Sequence, residues 1–196
     1  MGHRKLGVPG EEALIGRGVS FCATCDGMFF RRREVAVVGG GNTAVQDALV
    51  LAEICSKVYL IHRRDAFRAE ERLMKLLRAT ENVELITDTV VTAIKGEMRL
   101  ESLALKNVKT GEERELAVAG VFEAVGNLPQ NALFGDLVAL DGEGYIVTDN
   151  DCRTSHAGVF AAGDCRQKRV RQLTTATADG TVAALAAADY LSGTDA

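Results

Sequence analysis

No apolar run in this 196-residue sequence approaches the roughly 20 residues a helix needs to span a bilayer. Nor is there an excess of positive charge. Lys and Arg number 23 against 27 Asp and Glu, a net charge of −4, which argues against a nucleic-acid binder, usually basic over one face. The N-terminus, Met1 to Leu6, starts basic but no apolar stretch follows it, so it does not read as a signal peptide. Position 6 is Leu where a myristoylation motif wants Ser or Thr. A cytoplasmic location is the expectation. The five cysteines, Cys22, Cys25, Cys55, Cys152 and Cys165, are an odd number and do not suggest a secreted disulfide scaffold. What is present is ordinary for a globular chain, with 47% hydrophobic and 26% charged residues. The length suits one large domain or two small ones.

Residues 6–20 hold glycines and glutamates around Pro9 and read as a surface connection. Val35-Ala36-Val37-Val38 is wholly apolar, as in a parallel strand covered on both faces. Ala44, Ala48, Leu51 and Ala52 recur at helical spacing, which predicts a helix over 43–54. A strand over 58–61 completes a βαβ unit, whose crossover is expected to be right-handed. A helix over 66–78, with Leu73, Leu76 and Leu77 on one face, and a strand over 83–86 follow. Residues 90–118 alternate apolar and polar around Gly96 and Thr110-Gly111, the pattern of an antiparallel meander. The strand 121–125 returns to the sheet and ends at Gly126. The fold class expected is α/β: a doubly wound, Rossmann-like domain over 1–125 with an antiparallel insertion. Residues 126–196 offer two short strands, 145–147 and 159–162, and an alanine-rich helix over 173–191. That is little for an independent core, and it reads as part of a larger domain.

Cys22-Ala23-Thr24-Cys25-Asp26-Gly27 admits three readings: a redox pair, half of a zinc site, or two unremarkable small residues. Zinc needs two more ligands at similar spacing; Cys152 and Cys165 are twelve residues apart when only the intervening positions are counted, and only His156 lies near. No metal is expected. Redox chemistry is favoured, because two thiols three apart close a tight ring and their shared environment lowers one pKa. Asp26 is placed to give or take the proton of exchange, or is simply a turn residue before Gly27.

Gly39-Gly40-Gly41-Asn42-Thr43-Ala44 fits G-x-G-x-x-A between a strand and a helix, where backbone N–H groups can approach a pyrophosphate. Alone the pattern is weak. An NAD site would carry an acid about 20 residues on; here stand His62-Arg63-Arg64, with Arg68 a turn later. Cations in that place indicate the 2′-phosphate of NADPH. The basic Arg31-Arg32-Arg33, by contrast, reads as a solvated turn. The coenzyme-binding residues expected are Gly39, Gly41, Asn42, Thr43, Ala44, His62, Arg63, Arg64 and Arg68, with Gly126 at the end of the returning strand.

Gly18 to Gly27, Val38 to Ala44 and His62 to Ala69 resemble the low-molecular-weight thioredoxin reductases in order and spacing. Leu6-Gly7-Val8-Pro9-Gly10-Glu11-Glu12 is also similar, as is Val159-Phe160-Ala161-Ala162-Gly163-Asp164 with Arg171-Gln172 downstream. The resemblance implies a homodimeric flavoprotein in which an NADPH domain carrying the dithiol is inserted into an FAD domain. Electrons pass from NADPH through FAD to the disulfide and then to thioredoxin. It implies Cys22 and Cys25 as the redox pair, Asp26 as the acid, Gly163 and Asp164 at the FAD ribityl and phosphate portion, and Arg171, Gln172 and Leu173 near its ring. It implies that 126–196 is the C-terminal part of the FAD domain. The family begins with a further βαβ unit and a G-x-G-x-x-G loop that this sequence lacks, so weak or absent FAD binding is expected. Two alternatives remain: a non-catalytic NADP-binding module, or the reductase component of a peroxidase system. A ferredoxin-driven relative would have no use for the glycine turn and arginine cluster.

Overall fold

The computed structural model describes residues 2–193, which divide into two compact units: Arg4–Gly126, and residues 127–193 together with Gly2–His3. In chain order the elements are β1 (Gly2–His3), α1 (Glu11–Leu14), β2 (Val19–Ser20), α2 (Ala23–Asp26), β3 (Glu34–Gly39), α3 (Asn42–Ala52), β4 (Lys57–Ile61), α4 (Glu71–Arg78), β5 (Val83–Ile86), β6 (Thr89–Lys95), β7 (Ser102–Asn107), β8 (Glu113–Ala117), β9 (Gly120–Ala124), β10 (Asn127–Leu128) and α5 (Leu173–Ser192).

The first unit is built on a parallel sheet in the order β2-β9-β3-β4-β5. Successive strand residues point to opposite faces, so an unbroken apolar run such as 35–38 serves a strand covered on both sides. Val35, Val37, Val58, Leu60 and Phe122 meet Ala44, Val45, Ala48 and Leu51 of α3 and Leu73, Met74 and Leu77 of α4. Ala36, Val38, Tyr59, Ile61 and Val121 pack instead with Val91, Ile94, Leu103 and Leu105 of the antiparallel meander β6-β7-β8. The unit is a Rossmann-like α/β domain whose antiparallel insertion forms the layer over the second face. Each large aliphatic side chain buried here contributes about 1.5–3 kcal/mol.

Two expectations need correction. Residues 6–20 are not merely a surface connection, for Val19 and Ser20 add the edge strand β2, and Leu14 and Val19 join the core. The helix expected over 66–78 begins only at Glu71. Residues 66–70 are diverted because Arg68 N–H donates to Gly40 O at 2.8 Å and Glu70 N–H to Asn42 Oδ1 at 2.8 Å. The face α4 buries is Leu73, Met74 and Leu77, and Leu76, expected on that face, is exposed.

In the second unit β1 pairs antiparallel with β10. The strands expected at 145–147 and 159–162 reduce to single bridges, Leu140 to Ile146, Ile146 to Arg166 and Arg153 to Phe160. With no ladder available, the side chain of buried Asn131 joins the loops, donating to Gly144 O at 3.0 Å and Cys165 O at 2.8 Å. The helix α5 starts with a reciprocal cap between Gln172 and Thr175 and ends at Gly193 in a left-handed conformation. Among the described residues no helix is long and apolar enough to cross a membrane.

Candidate functional site

Edge strand β2 delivers the chain directly to the dithiol. Cys22 and Cys25 are joined in a disulfide with Cα atoms 5.3 Å apart. Cys22 caps the short α2, its Sγ accepting from Cys25 N–H at 3.2 Å and lying 3.4 Å from Thr24 Oγ1. Cys25 is exposed and Cys22 half-buried, so the sulfurs lie at the surface of their unit. Ser20 is a residue to which the sequence reading assigned no role. Its buried hydroxyl donates to Asp26 Oδ2 at 2.7 Å and accepts from Cys22 N–H at 3.2 Å, fixing the acid relative to the disulfide. A hydroxyl two residues before a Cys-x-x-Cys, at a strand end, was the available signal. The other thiols stand apart: Cys55 is buried and its pKa pushed up to about 11 by desolvation, Cys152 reaches Asp179 O at 3.6 Å, and Cys165 reaches Ala162 O at 3.2 Å.

The glycine turn joins β3 to α3. A Cβ on Gly39 would lie 2.5 Å from Ala124 O, and one on Gly40 would lie 2.1 Å from the His62 ring, so neither position has room for a side chain. At Gly41 nothing stands within 4 Å, and no side chain caps α3. The start of an 11-residue helix therefore faces open space with its N–H groups and positive dipole end. Asn42, which could have capped it, turns away, its Nδ2 donating to Glu70 Oε1 at 2.9 Å and its Oδ1 accepting from Glu70 N–H. Thr43 is exposed and Ala44 buried against the sheet. Gly126 O accepts from Arg4 N–H at 2.9 Å at the unit's two chain ends.

The segment 62–70 lies across that turn. His62 is buried beneath it, with Nε2 3.2 Å from Ala66 O and its ring 4.9 Å from Phe67. Burial first, then the charges of Arg63, Arg64 and Arg68, hold its pKa below the usual histidine value. His62 thus supports the turn as a neutral ring. Arg63, Arg64 and Arg68 are exposed, and among the described residues no ion pair or side-chain hydrogen bond engages them. The intervening Asp65 pairs with Lys109 Nζ at 2.9 Å, and Lys109 also reaches Asp88 Oδ1 at 3.0 Å.

In the second unit Gly163 N–H donates to Asp179 Oδ2 at 3.2 Å. Asp164 Oδ1 is buried and lies 3.3 Å from Lys168 Nζ, an ion pair without hydrogen-bond geometry. The Arg171 guanidinium stacks 3.8 Å from the centre of the Tyr145 ring, and its buried Nε has no hydrogen-bond partner. Gln172 caps α5, and Leu173 beside it is 81% exposed.

A surface disulfide and an open, glycine-lined helix start thus stand within one parallel-stranded unit. Residues 2–180 match the family model for pyridine nucleotide-disulphide oxidoreductases, and the chain belongs to that family. Within it, the chain is 48% identical over 189 residues to a thioredoxin reductase of Treponema pallidum, covering 96% of this chain and 61% of that relative. It is 44% identical over 189 residues to a bifunctional thioredoxin reductase/thioredoxin of Mycobacterium leprae, covering 96% of this chain and 41% of the relative. Among solved structures it is similar to Lactococcus lactis thioredoxin reductase in its FR conformation, with a TM-score of 0.91, 45% identity, and coverage of 97% of this chain and 63% of that one. The chain spans about three fifths of the length of the thioredoxin reductase from Treponema pallidum.

Proposed function

We propose that this chain is the NADPH- and disulfide-bearing part of a thioredoxin reductase. Arg4–Gly126 takes NADPH, with the pyrophosphate at the start of α3 and the 2′-phosphate between Arg63, Arg64 and Arg68. Cys22–Cys25 receives the electrons and passes them by thiol–disulfide exchange to thioredoxin. Asp26, steadied by Ser20, carries the proton that opening the disulfide requires. The reading rests above all on one observation: three exposed arginines, without side-chain partners among the described residues, lie on the segment whose backbone is bonded to the glycine turn at an uncapped helix start, in the unit that bears an exposed disulfide. A free cation cluster there suits a phosphate dianion better than a ribose diol.

FAD is the expected second cofactor. Arg171 keeps a buried Nε without a hydrogen bond, and Asp164 Oδ1 has the Lys168 ammonium at 3.3 Å but no hydrogen bond, which fits a ligand that brings an acceptor to Arg171 and a donor to Asp164. These two, with Gly163, Gln172 and Leu173, would hold it, and it would supply two-electron relay between coenzyme and disulfide. The whole enzyme is read as a cytoplasmic homodimer, on the family resemblance.

The test is coenzyme affinity. An Arg63→Ala, Arg64→Ala variant loses about 3–6 kcal/mol toward NADPH and little toward NADH, since each charged hydrogen bond contributes about 1.5–3 kcal/mol. Equal losses for both coenzymes would overturn the assignment. Dye-coupled turnover with added FAD separates a reductase from an NADP-binding module, which would bind NADPH without turnover.

A further inference from the structure

An acid in the middle of a phosphate-binding arginine loop is a liability. Asp65 sits between Arg64 and Arg68, where a free carboxylate would pair with the guanidiniums or repel an incoming phosphate. The structure avoids both outcomes. Asp65 Oδ2 is held at 2.9 Å by Lys109 Nζ, which comes from the turn between β7 and β8.

We propose that Lys109 is a specificity-determining residue for the coenzyme: by holding Asp65 aside it leaves Arg63, Arg64 and Arg68 free for the 2′-phosphate. This rests on the reading that the arginine loop takes that phosphate. The placement of Lys109 is built rather than incidental. Its ammonium also pairs with Asp88 at 3.0 Å. Asp88 is stitched to both sides, its N–H donating to Arg64 O at 3.3 Å and its O accepting from Val108 N–H at 2.7 Å. The turn itself is pinned by Asn107, whose Oδ1 accepts from Lys109 N–H and Thr110 N–H, both at 2.9 Å. The hydrogen bond from Lys109 holds the Asp65 pKa below its ordinary value, and the bond to Asp65 raises that of Lys109, so both stay charged. Among the described residues no carboxylate pairs with Arg63, Arg64 or Arg68, while Asp65 and Asp88 both pair with Lys109.

The experiment measures binding of 2′,5′-ADP and of 5′-AMP to the 196-residue chain by calorimetry, so that no flavin or turnover is needed. Lys109→Ala weakens 2′,5′-ADP by about fivefold, the upper end for an exposed ion pair, and leaves 5′-AMP within about twofold. Lys109→Arg stays near wild type. The deciding variant is Asp65→Asn in the Lys109→Ala background, which restores 2′,5′-ADP binding because the released carboxylate, not a lost brace, is the cause. Equal weakening of both ligands, or no recovery with Asp65→Asn, overturns the proposal. The Arg63→Ala, Arg64→Ala variant is measured alongside. If it fails to discriminate between the two ligands, the NADPH reading itself has fallen. If it discriminates and Lys109→Ala does not, only the role of Lys109 has fallen.

Discussion

The two units of this chain are held together by different forces. Arg4–Gly126 buries apolar side chains on both faces of its sheet, in two large clusters. Residues 127–193 gather a small core of Val138, Ile146 and Ala161 with Leu140, Val159 and Cys165 partly buried against it, and the 20-residue α5 buries only Ala186 while Leu173, Leu185 and Leu191 stay exposed. What this second unit has instead is charge. Asp179 pairs with Arg166 at 2.9 Å and Lys168 at 2.9 Å and accepts from Gly163 N–H, and all three charged side chains are 10–14% exposed. The first unit can stand on packing, whereas the second depends on keeping one carboxylate ionised. Their responses to mutation and pH should therefore differ in size and in sign.

The largest loss caused by a substitution falls in the apolar core. Leu60→Ala, at a fully buried position in β4, costs the first unit about 2–5 kcal/mol. Peptide-resolved hydrogen exchange would show lost protection across β3, β4 and β9, with 127–193 little changed. A comparable loss in both units would mean that they are not energetically separate.

The next effect is a pH slope. Glu123, on β9, is buried, and neither of its oxygens makes a hydrogen bond of ordinary geometry. Burial first, then the neighbouring Glu11 carboxylate, pushes its pKa up to about 8. Glu11 is itself held by the N–H groups of Leu6, Gly7 and Val8. A carboxyl whose folded pKa is raised favours the fold while both states are protonated. The first unit's stability is then full below the ordinary value of 4.5 and declines as pH rises to about 8, by roughly 3–6 kcal/mol from this group. Glu123→Gln removes that slope, which urea unfolding at a series of pH values would measure. An unchanged slope would show that Glu123 is ionised in the fold.

The second unit runs the other way. Burial would raise the Asp179 pKa, but the hydrogen bond from Lys168 and the charge of Arg166 outweigh it, and the pKa is lowered. Its contribution is present above the ordinary carboxylate value of 3.8 and is lost as pH falls below it. Asp179→Asn removes the carboxylate that Arg166 pairs with and leaves Lys168 with Asp164 alone, and it costs about 2–3 kcal/mol, below the range for a deeply buried pair because these side chains still reach solvent. Exchange protection at neutral pH should fall in 127–193 and hold in β3 and β4. If β3 and β4 lose protection equally, the contrast between the units is wrong.

Much of the first unit was legible because its signals are local. An apolar run at 35–38, three glycines and helical spacing from Ala44 to Leu51 lie in one continuous stretch, and β3, the turn and α3 follow from them. The Arg63-Arg64 position could be read from its distance along the chain to that turn. What stayed hidden depends on partners distant in sequence. Residues 66–70 have helical composition, yet their N–H groups go to Gly40 and Asn42, and no local pattern announces that. Glu11 and Glu123 meet only once β9 has paired beside β3, and Lys109 meets Asp65 across 44 residues. In the second unit, 145–147 and 159–162 have strand composition but no ladder to join, so composition overstated their regularity.

The smallest expected effect isolates what burial does for charge. Lys57 and Glu84 pair at 2.6 Å across β4 and β5, a shorter contact than either made by Asp179, but their side chains are 38% and 44% exposed. Water screens such a pair, and ordering two long side chains offsets most of what remains. Glu84→Gln should leave the urea midpoint of the first unit unchanged within error at both low and high salt. A shift as large as that of Asp179→Asn would mean that distance, not burial, governs these pairs. The charge-held character of the second unit would then be a matter of geometry that the first unit shares.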